Sequence, residues 1–479
     1  MFNINDAKNL NVTVMGLGLN GGGLATAIFF AKLGSQVTVT DLKDKNFLHS
    51  SIEKLKPFPN IRFVLGRHEE KDFVNADLVI KNPGVKRKGN KFLSLAKKIE
   101  TDISIFLQIT NAPILAVTGS KGKSSTVSAL HYGLVKAGYN SFLGGNITVS
   151  PLSFYEKVKE DTPVVLELSS FQLNDLHECN FFKPHISILT PIYNDHQNWY
   201  DNNMQEYVAD KKVIYKNQNK NDFTICNAEQ SWGFEFANET KAVLGFYSAR
   251  EKSICAKLPK NAMQVFFNEK DEGILKTSRS EILLLPAETK VISFPLKQNL
   301  LNAAFAMYLY GVKPELIPSI MQNYKGLEYR LELFHEYGNL QFYDDTTATV
   351  PEATVSALSA FENPRFEKPI WIGGGTDKNL DFTQLGIEAK KAKAIFLLPG
   401  TATDLLKLEL KKNGLDYFDG FDTLEALLLE VKKYLKTNSI KTQNKKVPIV
   451  LSPGAASFGL FKNEFDRGQQ FKTLVKSLF

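Results

Sequence analysis

Residues 112–138 read APILAVTGSKGKSSTVSALHYGLVKAG, and they are the most informative stretch for the architecture of this chain. A short apolar run, ILAV, precedes a glycine-rich turn, and a segment of helical character follows it. Gly119 and Gly122 let the backbone amides turn toward one point, where the start of a helix adds positive partial charge. The pattern predicts a strand, a phosphate-binding loop and a helix, as in parallel sheets covered by helices.

The turn itself predicts contacts with a nucleotide. Lys123 is placed to reach the terminal phosphates, and the hydroxyl of Ser124 is placed to bind Mg²⁺. Val117 stands where the strict P-loop has its first glycine, so an ordinary tight turn is the competing interpretation. We assign the whole loop to ATP: Gly119, Ser120, Lys121, Gly122, Lys123, Ser124 and Ser125.

The alternation of apolar runs and helical stretches extends over all 479 residues. At roughly 100–200 residues per domain, a chain of this length predicts about three domains. We place them at residues 1–110, 111–325 and 326–479. The predicted fold class is α/β, with a Rossmann-like N-terminal domain, a central P-loop-type ATPase domain with a mostly parallel sheet, and a Rossmann-like C-terminal domain. A β-rich insertion is expected near residues 240–295, where KAVLGFYS, AMQVFFN and KVISFPL lack helical periodicity.

A second glycine-rich turn follows the first predicted strand. In NVTVMGLGLNGGG, the glycines Gly16, Gly18 and Gly21 match a dinucleotide-type fingerprint, and Asp41 ends the next strand at the position of a ribose-binding acid. Such a loop accepts the diphosphate of any nucleotide. The pattern would also suit a nicotinamide-dependent dehydrogenase, or a turn that only permits close helix packing.

Candidate metal ligands follow further predicted strands. Glu167 ends the run PVVLEL, which would bring its carboxylate to the same sheet edge as the phosphate loop. His196 follows the strand-like run HISILTPI, at the edge where a second metal would sit. Alone, Glu167 would be a capping residue, His196 a structural histidine and Lys211 a solvated helix lysine.

Composition excludes several classes of protein. The net charge of +7 is modest and its lysines are scattered, so no nucleic-acid partner is predicted. No apolar run approaches the ~20 residues of a membrane span, and the start of the chain lacks the pattern of a signal peptide. The three cysteines form no metal-type cluster. A cytoplasmic protein without membrane insertion is expected.

Taken together, these motifs resemble the Mur ligases of peptidoglycan synthesis, over nearly the whole chain. The motifs that carry the resemblance occur in the family's order and spacing: TGSKGKSS, FLGGNI, LELSSFQL, NDHQNWY, YVADKKVIY, QNLLNAAFA, GLEYRLE, DDTTAT, GGGTDKNLDF and LSPGAASFGLFKNEFDRG. The resemblance implies an ATP-dependent ligase, expected to act as a monomer, that joins D-glutamate to UDP-N-acetylmuramoyl-L-alanine through an acyl phosphate.

The resemblance also implies roles for single residues. It implies two Mg²⁺ sites with the ligands Ser124, Glu167, His196 and Lys211, the last as a lysine carbamylated by CO₂. Lys123, His196 and Lys211 are the implied catalytic residues. Further ATP contacts fall on Asn299, Asn302, Arg330 and Asp345. The substrate contacts fall on Leu19, Asn20, Asp41 and Gly84 for the UDP end, Asn146, Ser169 and Gln172 for the muramoyl part, and Thr349, Lys378 and Ser457 for the glutamate.

The chain departs from the family pattern at four places. Thr347 replaces a lysine, Asn198 an aspartate and Gln298 a histidine, while Glu464 stands at a position that is often aromatic and has Phe465 beside it. These changes leave open the addition of L-glutamate or another amino acid. A folylpolyglutamate-synthetase-like ligase and a non-catalytic nucleotide-binding scaffold stay open as well.

Overall fold

The computed structural model describes residues 2–19, 21–196, 198–259, 262–438 and 445–479. The chain divides into two compact units, one of residues 1–287 and 298–321, the other of residues 288–297 and 322–479. The described residues form three sheets in an α/β arrangement, two in the first unit and one in the second. The predicted fold class is therefore confirmed. The domain boundaries at residues 110 and 325 stay predictions.

The first sheet of the first unit is parallel, with the strand order β3-β2-β1-β4-β5. Its strands are β1 (Asn11–Met15), β2 (Gln36–Asp41), β3 (Ile61–Leu65), β4 (Leu78–Lys81) and β5 (Ile99–Glu100). The accompanying helices are α1 (Gly22–Lys32), α2 (His49–Leu55), α3 (Glu70–Val74) and α4 (Asp102–Ile109). Gly34, just after the end of α1, adopts a left-handed φ of 86°, as is common for a glycine that follows a helix.

The second sheet of this unit has nine strands in the order β14-β13-β12-β11-β10-β9-β6-β8-β7. They are β6 (Ile114–Thr118), β7 (Phe142–Gly145), β8 (Val164–Glu167), β9 (Ile186–Leu189), β10 (Phe223–Asn227), β11 (Val243–Arg250), β12 (Met263–Phe267), β13 (Gly273–Lys276) and β14 (Glu281–Leu285). Only the pairings of β13 with its two neighbours are antiparallel among these strands. The accompanying helices are α5 (Lys123–Lys136), α6 (Ser170–Asp175), α7 (Met204–Lys212), α8 (Ser231–Glu239), α9 (Phe294–Tyr310) and α10 (Ile317–Gln322).

The two sheets of the first unit share one hydrophobic core. Its buried residues run from Phe2 through α1 and α4 to Phe246 on β11. Phe106 of α4 and Phe154 meet edge to face with their ring centroids 5.9 Å apart. The first sheet is therefore packed against the second by apolar burial, the main stabilising term in folding.

The second unit has a five-stranded sheet with the order β15-β16-β19-β17-β18. Its strands are β15 (Glu332–Tyr337), β16 (Leu340–Asp344), β17 (Ile370–Gly373), β18 (Ala394–Leu397) and β19 (Val447–Leu451). The helices are α11 (Pro351–Ser359), α12 (Thr383–Glu388), α13 (Thr401–Lys412), α14 (Leu424–Thr437) and α15 (Glu464–Leu478). β15 is antiparallel to β16, whereas β16, β19, β17 and β18 pair in parallel.

One local prediction was wrong. The segment KVISFPL was expected to be β-structure, but Phe294 begins α9. Lys297 N donates to Ser293 O at 2.9 Å, so Ser293 is the residue that immediately precedes the first turn of the helix. Pro295 suits the first turn, since it needs no amide donor there. Among the described residues, no helix is long and apolar enough to cross a membrane.

Candidate active site

The loop between β6 and α5 has the conformation of a phosphate-binding turn. Gly119 and Gly122 adopt φ values of 141° and 90°, which only glycine accepts readily. A Cβ on Gly119 would lie 2.0 Å from Thr190 Oγ1, and one on Gly122 would lie 2.5 Å from Asn299 Oδ1. The loop is thus fixed against its neighbours at the start of a 14-residue helix, where an anion is stabilised by amide groups and the helix dipole.

Two lysines meet the same carbonyl oxygen of this loop. Lys123 Nζ donates to Gly119 O at 2.9 Å, and Lys211 Nζ, from α7, donates to it at 3.1 Å. Lys123 Nζ also donates to Ser120 O at 3.1 Å. Burial, with Lys123 as a nearby like charge, holds the pKa of Lys211 well below its usual value. Both effects shift the protonation equilibrium of Lys211 toward the neutral amine.

Glu167 lies at the sheet edge that the sequence predicted. It ends β8 and pairs with Val117 on β6 and with Gly145 on β7, so it stands beside the phosphate loop. Asn146 Nδ2 donates to Glu167 Oε1 at 2.9 Å, and Asn146 N donates to the main-chain oxygen of Glu167 at 2.8 Å. Glu167 is 2% exposed, and its Oε2 is buried with no hydrogen-bond partner among the described residues. A buried carboxylate oxygen of this kind fits a cation ligand.

His196 lies in the loop after β9, with a left-handed φ of 54°. Its backbone amide donates to Asp195 Oδ1 at 3.0 Å, and its Nε2 lies 3.8 Å from Asp195 Oδ2. The imidazole is 47% exposed and lies against the Phe171 ring, with the centroids 5.0 Å apart. The side chain is therefore accessible and lies near the Phe171 ring and the Asp195 carboxyl group.

Sequence reasoning missed Tyr207. Its hydroxyl lies 2.8 Å from Ser120 Oγ, and Lys211 Nζ lies 4.3 Å from the centroid of its ring. Tyr207 thus joins the phosphate loop to α7 and covers the amine of Lys211. The signal was present in YVADK, because residues four apart occupy one face of a helix.

Ser169 and Gln172 form a capping box at the start of α6. Ser169 N donates to Gln172 Oε1 at 3.0 Å, and Gln172 N donates to Ser169 Oγ at 3.3 Å. These bonds satisfy amide groups at the helix start. Ser124 and Ser125, in the first turn of α5, are partly exposed. The proposed ligand contacts of these four residues stay predictions.

Two asparagines of α9 complete the surroundings of the loop. Asn299 is buried and lies against Gly122. Asn302 is fully buried, and neither Oδ1 nor Nδ2 has a hydrogen-bond partner among the described residues. An unpaired buried amide is costly, and a bound ligand that pairs with it would remove that cost.

The glycine-rich turn of the first sheet is held by Asp41. Gly18 N donates to Asp41 Oδ2 at 3.1 Å, and Lys43 N donates to Asp41 Oδ1 at 2.9 Å. Leu19 is 52% exposed beside this turn, and Gly84 N donates to Asn82 Oδ1 at 3.1 Å. Asn20, which was also assigned to the UDP end, lies outside the described residues. Asp41 thus shapes the loop in addition to its predicted ribose contact.

In the second unit, Asp344 and Asp345 follow one another at the end of β16 in a buried position. Asp345 Oδ2 accepts from Ser452 Oγ at 2.7 Å, and Asp345 Oδ1 accepts from Leu331 N at 3.0 Å. Burial raises the pKa of each carboxyl group to about 7. Arg330 is exposed next to Leu331. Asp344 Oδ2 is buried without a hydrogen-bond partner among the described residues.

The residues assigned to the amino acid follow three adjacent parallel strands of this unit. Thr349 follows β16, Lys378 follows β17 and Ser457 follows β19, so all three loops lie at one edge of the sheet. Lys378 Nζ lies 5.4 Å from the centroid of the Phe458 ring. Thr347 donates from Oγ1 to Tyr329 O at 2.8 Å.

No group of three or more His, Cys, Asp and Glu side chains suited to a metal ion occurs among the described residues. The predicted ligand set is of another kind, with one serine and one lysine beside Glu167 and His196. Its best structural support is the unpartnered Glu167 Oε2, with Ser124 in the adjoining helix turn.

Two family models match this chain. Residues 117–309 match the Mur ligase middle domain, and residues 10–105 match the Mur ligase MurD-like N-terminal domain. The UDP-N-acetylmuramoylalanine–D-glutamate ligase of Treponema pallidum (strain Nichols) is 40% identical, with 98% of each chain covered. The chain belongs to the Mur ligase family. The same-named ligase of Borreliella burgdorferi (strain B31) is also 40% identical, with 99% of each chain covered.

The Mur ligase fold is found as well in a solved structure of low sequence identity. The MurC UDP-N-acetylmuramate-alanine ligase of Thermotoga maritima aligns with a TM-score of 0.58 at 17% identity, covering 98% of this chain and 100% of that one. The predictions of family and of an ATP-dependent ligase are thereby confirmed. The roles of single residues in this Mur ligase stay predictions.

Proposed function

We propose that this Mur ligase joins D-glutamate to UDP-N-acetylmuramoyl-L-alanine, coupled to the cleavage of ATP to ADP and phosphate. The observation that carries the proposal is the meeting of Lys123 and Lys211 on Gly119 O, at the phosphate loop beside Glu167. The names of the 40% identical relatives support the choice of substrates. The match of residues 10–105 to a MurD-like domain argues against a folylpolyglutamate-synthetase-like ligase.

The chemistry follows from the poor reactivity of a carboxylate. A carboxylate oxygen of the UDP substrate attacks the γ-phosphorus of ATP, and the bond to ADP breaks. The glutamate amine then attacks the acyl carbon and loses a proton, and the carbon–oxygen bond breaks to release phosphate. Lys123 and the α5 N-terminus would stabilise the charge of the transferring phosphoryl group. The protein would act mainly by positioning and electrostatics.

The proposal includes two Mg²⁺ ions at this edge of the sheet. Ser124 and Glu167 would hold one Mg²⁺, because hydroxyl and carboxylate oxygens suit that ion. His196 and a carbamate on Lys211 would hold the other. Bound Mg²⁺ neutralises charge on phosphate oxygens. Glu167→Gln keeps an acceptor for Asn146 but removes the charge, so we expect a higher Mg²⁺ requirement, whereas the exposed Glu160→Gln serves as the control.

The low pKa of Lys211 supports the carbamate. A neutral amine can attack the carbon of CO₂, forming the nitrogen–carbon bond as a proton leaves the nitrogen, and the product carries an anionic oxygen end. With ¹³C-labelled bicarbonate, we expect a carbamate carbon signal in wild type and Lys212→Ala but not in Lys211→Met. Lys212 is the matched control, since it lies on the same helix and pairs with Glu235 and Glu239.

Phosphate release from ATP tests the function directly. The assay contains UDP-N-acetylmuramoyl-L-alanine and either D-glutamate, L-glutamate or another amino acid. Dependence on D-glutamate supports the proposal, and dependence on another amino acid replaces the proposed acceptor. No amino-acid-dependent release would overturn the proposed pair of substrates. A cytoplasmic location, a monomeric state and the absence of a nucleic-acid partner stay predictions from the sequence.

A further inference from the structure

Arg467 is a fully buried arginine on α15, and it joins two loops of the second unit. Its Nε donates to Thr346 Oγ1 at 2.9 Å, and its Nη2 donates to Thr346 O at 2.8 Å. Its Nη1 and Nη2 each donate to Ala455 O at 3.3 Å. The guanidinium therefore connects the loop after β16 with the loop after β19.

These two loops carry residues assigned to the amino acid. Thr346 lies three residues before Thr349, and Ala455 lies two residues before Ser457. Strands β16 and β19 are direct parallel neighbours, so their loops emerge side by side. Thr346 Oγ1 also donates to Glu464 O at 2.8 Å, which ties the start of α15 to the same point. One side chain thus fixes the separation of two loops and a helix start.

The charge of Arg467 has an unusual environment. Its hydrogen-bond partners among the described residues are two carbonyl oxygens and a hydroxyl, whereas the carboxylates of Asp344 and Glu464 act on it only through their charge. Burial lowers the pKa of Arg467 to about 10, which still leaves it charged at neutral pH. A buried charge without a hydrogen-bonded carboxylate costs free energy. Because burying this charge costs free energy, the arginine points to a role that an apolar side chain of similar size would not fill.

We propose that Arg467 is a positioning residue for the incoming amino acid, holding the Thr346–Thr349 and Ala455–Ser457 loops in register and placing a positive charge behind them. The acceptor of the proposed reaction carries two carboxylates, so a cation near its pocket stabilises it. Thr347, in the same loop, carries no charge. Arg467 supplies positive charge on that side without touching the substrate. This inference rests on the proposed function.

Kinetics of two substitutions at Arg467 test the proposal. Arg467→Lys keeps the charge but not the forked hydrogen bonds, whereas Arg467→Gln removes the charge. We expect the KM for the amino acid to rise by about tenfold or more in Arg467→Gln and by less in Arg467→Lys, as for loss of hydrogen bonds to a charged group. The KM for ATP should stay within about twofold, which corresponds to less than ~0.5 kcal/mol.

Thr346→Val provides a variant that keeps the bulk of the loop. It removes the acceptor for Arg467 Nε and the donor to Glu464 O, whereas Thr346→Ser keeps both. We expect a raised amino-acid KM in Thr346→Val and a normal one in Thr346→Ser. Lys472→Met controls for docking of α15, since Lys472 lies on that helix and pairs with Glu328 and Glu332.

The outcomes separate this inference from the proposed function. If wild type releases no phosphate in response to any amino acid, the function fails. If wild type is active but Arg467→Gln and Thr346→Val leave the amino-acid KM unchanged, or raise it only in step with the KM for ATP, the positioning role is overturned. An equal rise in Lys472→Met would also overturn it, because the effect would then reflect helix docking alone.

Discussion

Lys81 Nζ and Asp175 Oδ2 lie 2.6 Å apart, and the two side chains are only 2% and 6% exposed. Lys81 ends β4 of the first sheet, whereas Asp175 ends α6 beside the second sheet. Burial raises the pKa of Asp175, although the charge of Lys81 acts in the opposite direction. This buried pair therefore adds a specific polar contact to the apolar packing between the two sheets.

Removing one member of this pair should destabilise the chain more than removing both. Lys81→Met leaves a buried carboxylate without its partner, and such a loss costs about 3–5 kcal/mol. Lys81→Met combined with Asp175→Leu replaces the pair by apolar groups and should recover most of that loss. Denaturant unfolding followed by tryptophan fluorescence measures both variants. Equal destabilisation in the single and double variants would show that leaving the Asp175 carboxylate unpaired carries no such penalty.

Lys123→Ala should slow turnover by about 10²–10³-fold, as for loss of one preorganised group that stabilises transition-state charge. Lys136→Ala is a matched control, since Lys136 is exposed at the opposite end of α5. Phosphate release at saturating substrates is the measurement. Near-normal turnover of Lys123→Ala, with a folded protein, would remove Lys123 from the reaction.

Asn302→Leu should stabilise the ligand-free protein and weaken its response to ATP. The variant removes two buried amide atoms that lack partners among the described residues, and an unpaired buried polar group costs about 1–3 kcal/mol. Asn217→Leu should instead destabilise the protein, because Asn217 Nδ2 donates to Cys179 O and Phe182 O and the variant removes both hydrogen bonds. Melting temperatures with and without ATP test both. A destabilised Asn302→Leu with normal protection by ATP would contradict a nucleotide-linked role.

Asp344 should make stability depend on pH. Burial raises its pKa from the usual 3.8 to about 7, so the folded chain binds this proton more tightly than the unfolded chain. The unfolding free energy should therefore fall as the pH rises from 3.8 to about 7. Asp344→Asn removes this contribution while keeping an acceptor for Thr346 N, which donates to Asp344 Oδ1 at 3.0 Å.

The melting temperatures of wild type and Asp344→Asn at about pH 5 and about pH 8 check that dependence. Relative to wild type, Asp344→Asn should gain more at the higher pH than at the lower, by about 2–4 °C for each kcal/mol in a unit of this size. Asp416→Asn, at an exposed carboxylate of the same unit, should show no such difference. An equal offset at both pH values would mean that Asp344 does not titrate in this range.

The parts of the fold that could be predicted are those specified locally. Strand β6, the glycine turn and α5 follow one another along a single stretch of sequence, and each has its own pattern of apolar residues and glycines. Strand β15 pairs with β16 across the two-residue turn of Gly338 and Asn339, so a local hairpin signal for this strand is present in the sequence as well. KVISFPL was misjudged because its apolar run is too short to distinguish a strand from a helix start.

The site shows the same division. The position of Glu167 could be predicted, because the carboxyl ends of parallel strands lie at one edge of the sheet. The contact of Tyr207 with Ser120, and the contacts of Arg467 with Thr346 and Ala455, could not be predicted, because each joins segments that are separated in the sequence. Among the described residues, Glu167 Oε2 and the amide of Asn302 are buried without a hydrogen-bond partner. A pattern of residue types does not specify that burial.

The carbonyl oxygen of Gly119 accepts from both Lys123 and Lys211, so the two side-chain nitrogens lie close together. Anion binding at Lys123 and protonation of Lys211 therefore affect each other. Lys123 lowers the pKa of Lys211 through charge repulsion, so an anion bound to Lys123 weakens that repulsion and raises the proton affinity of Lys211. Linkage is reciprocal, and protonation of Lys211 must strengthen anion binding by the same factor. In the proposed reaction, CO₂ would therefore react most readily before the nucleotide binds, so the carbamate would form first and ATP would bind second.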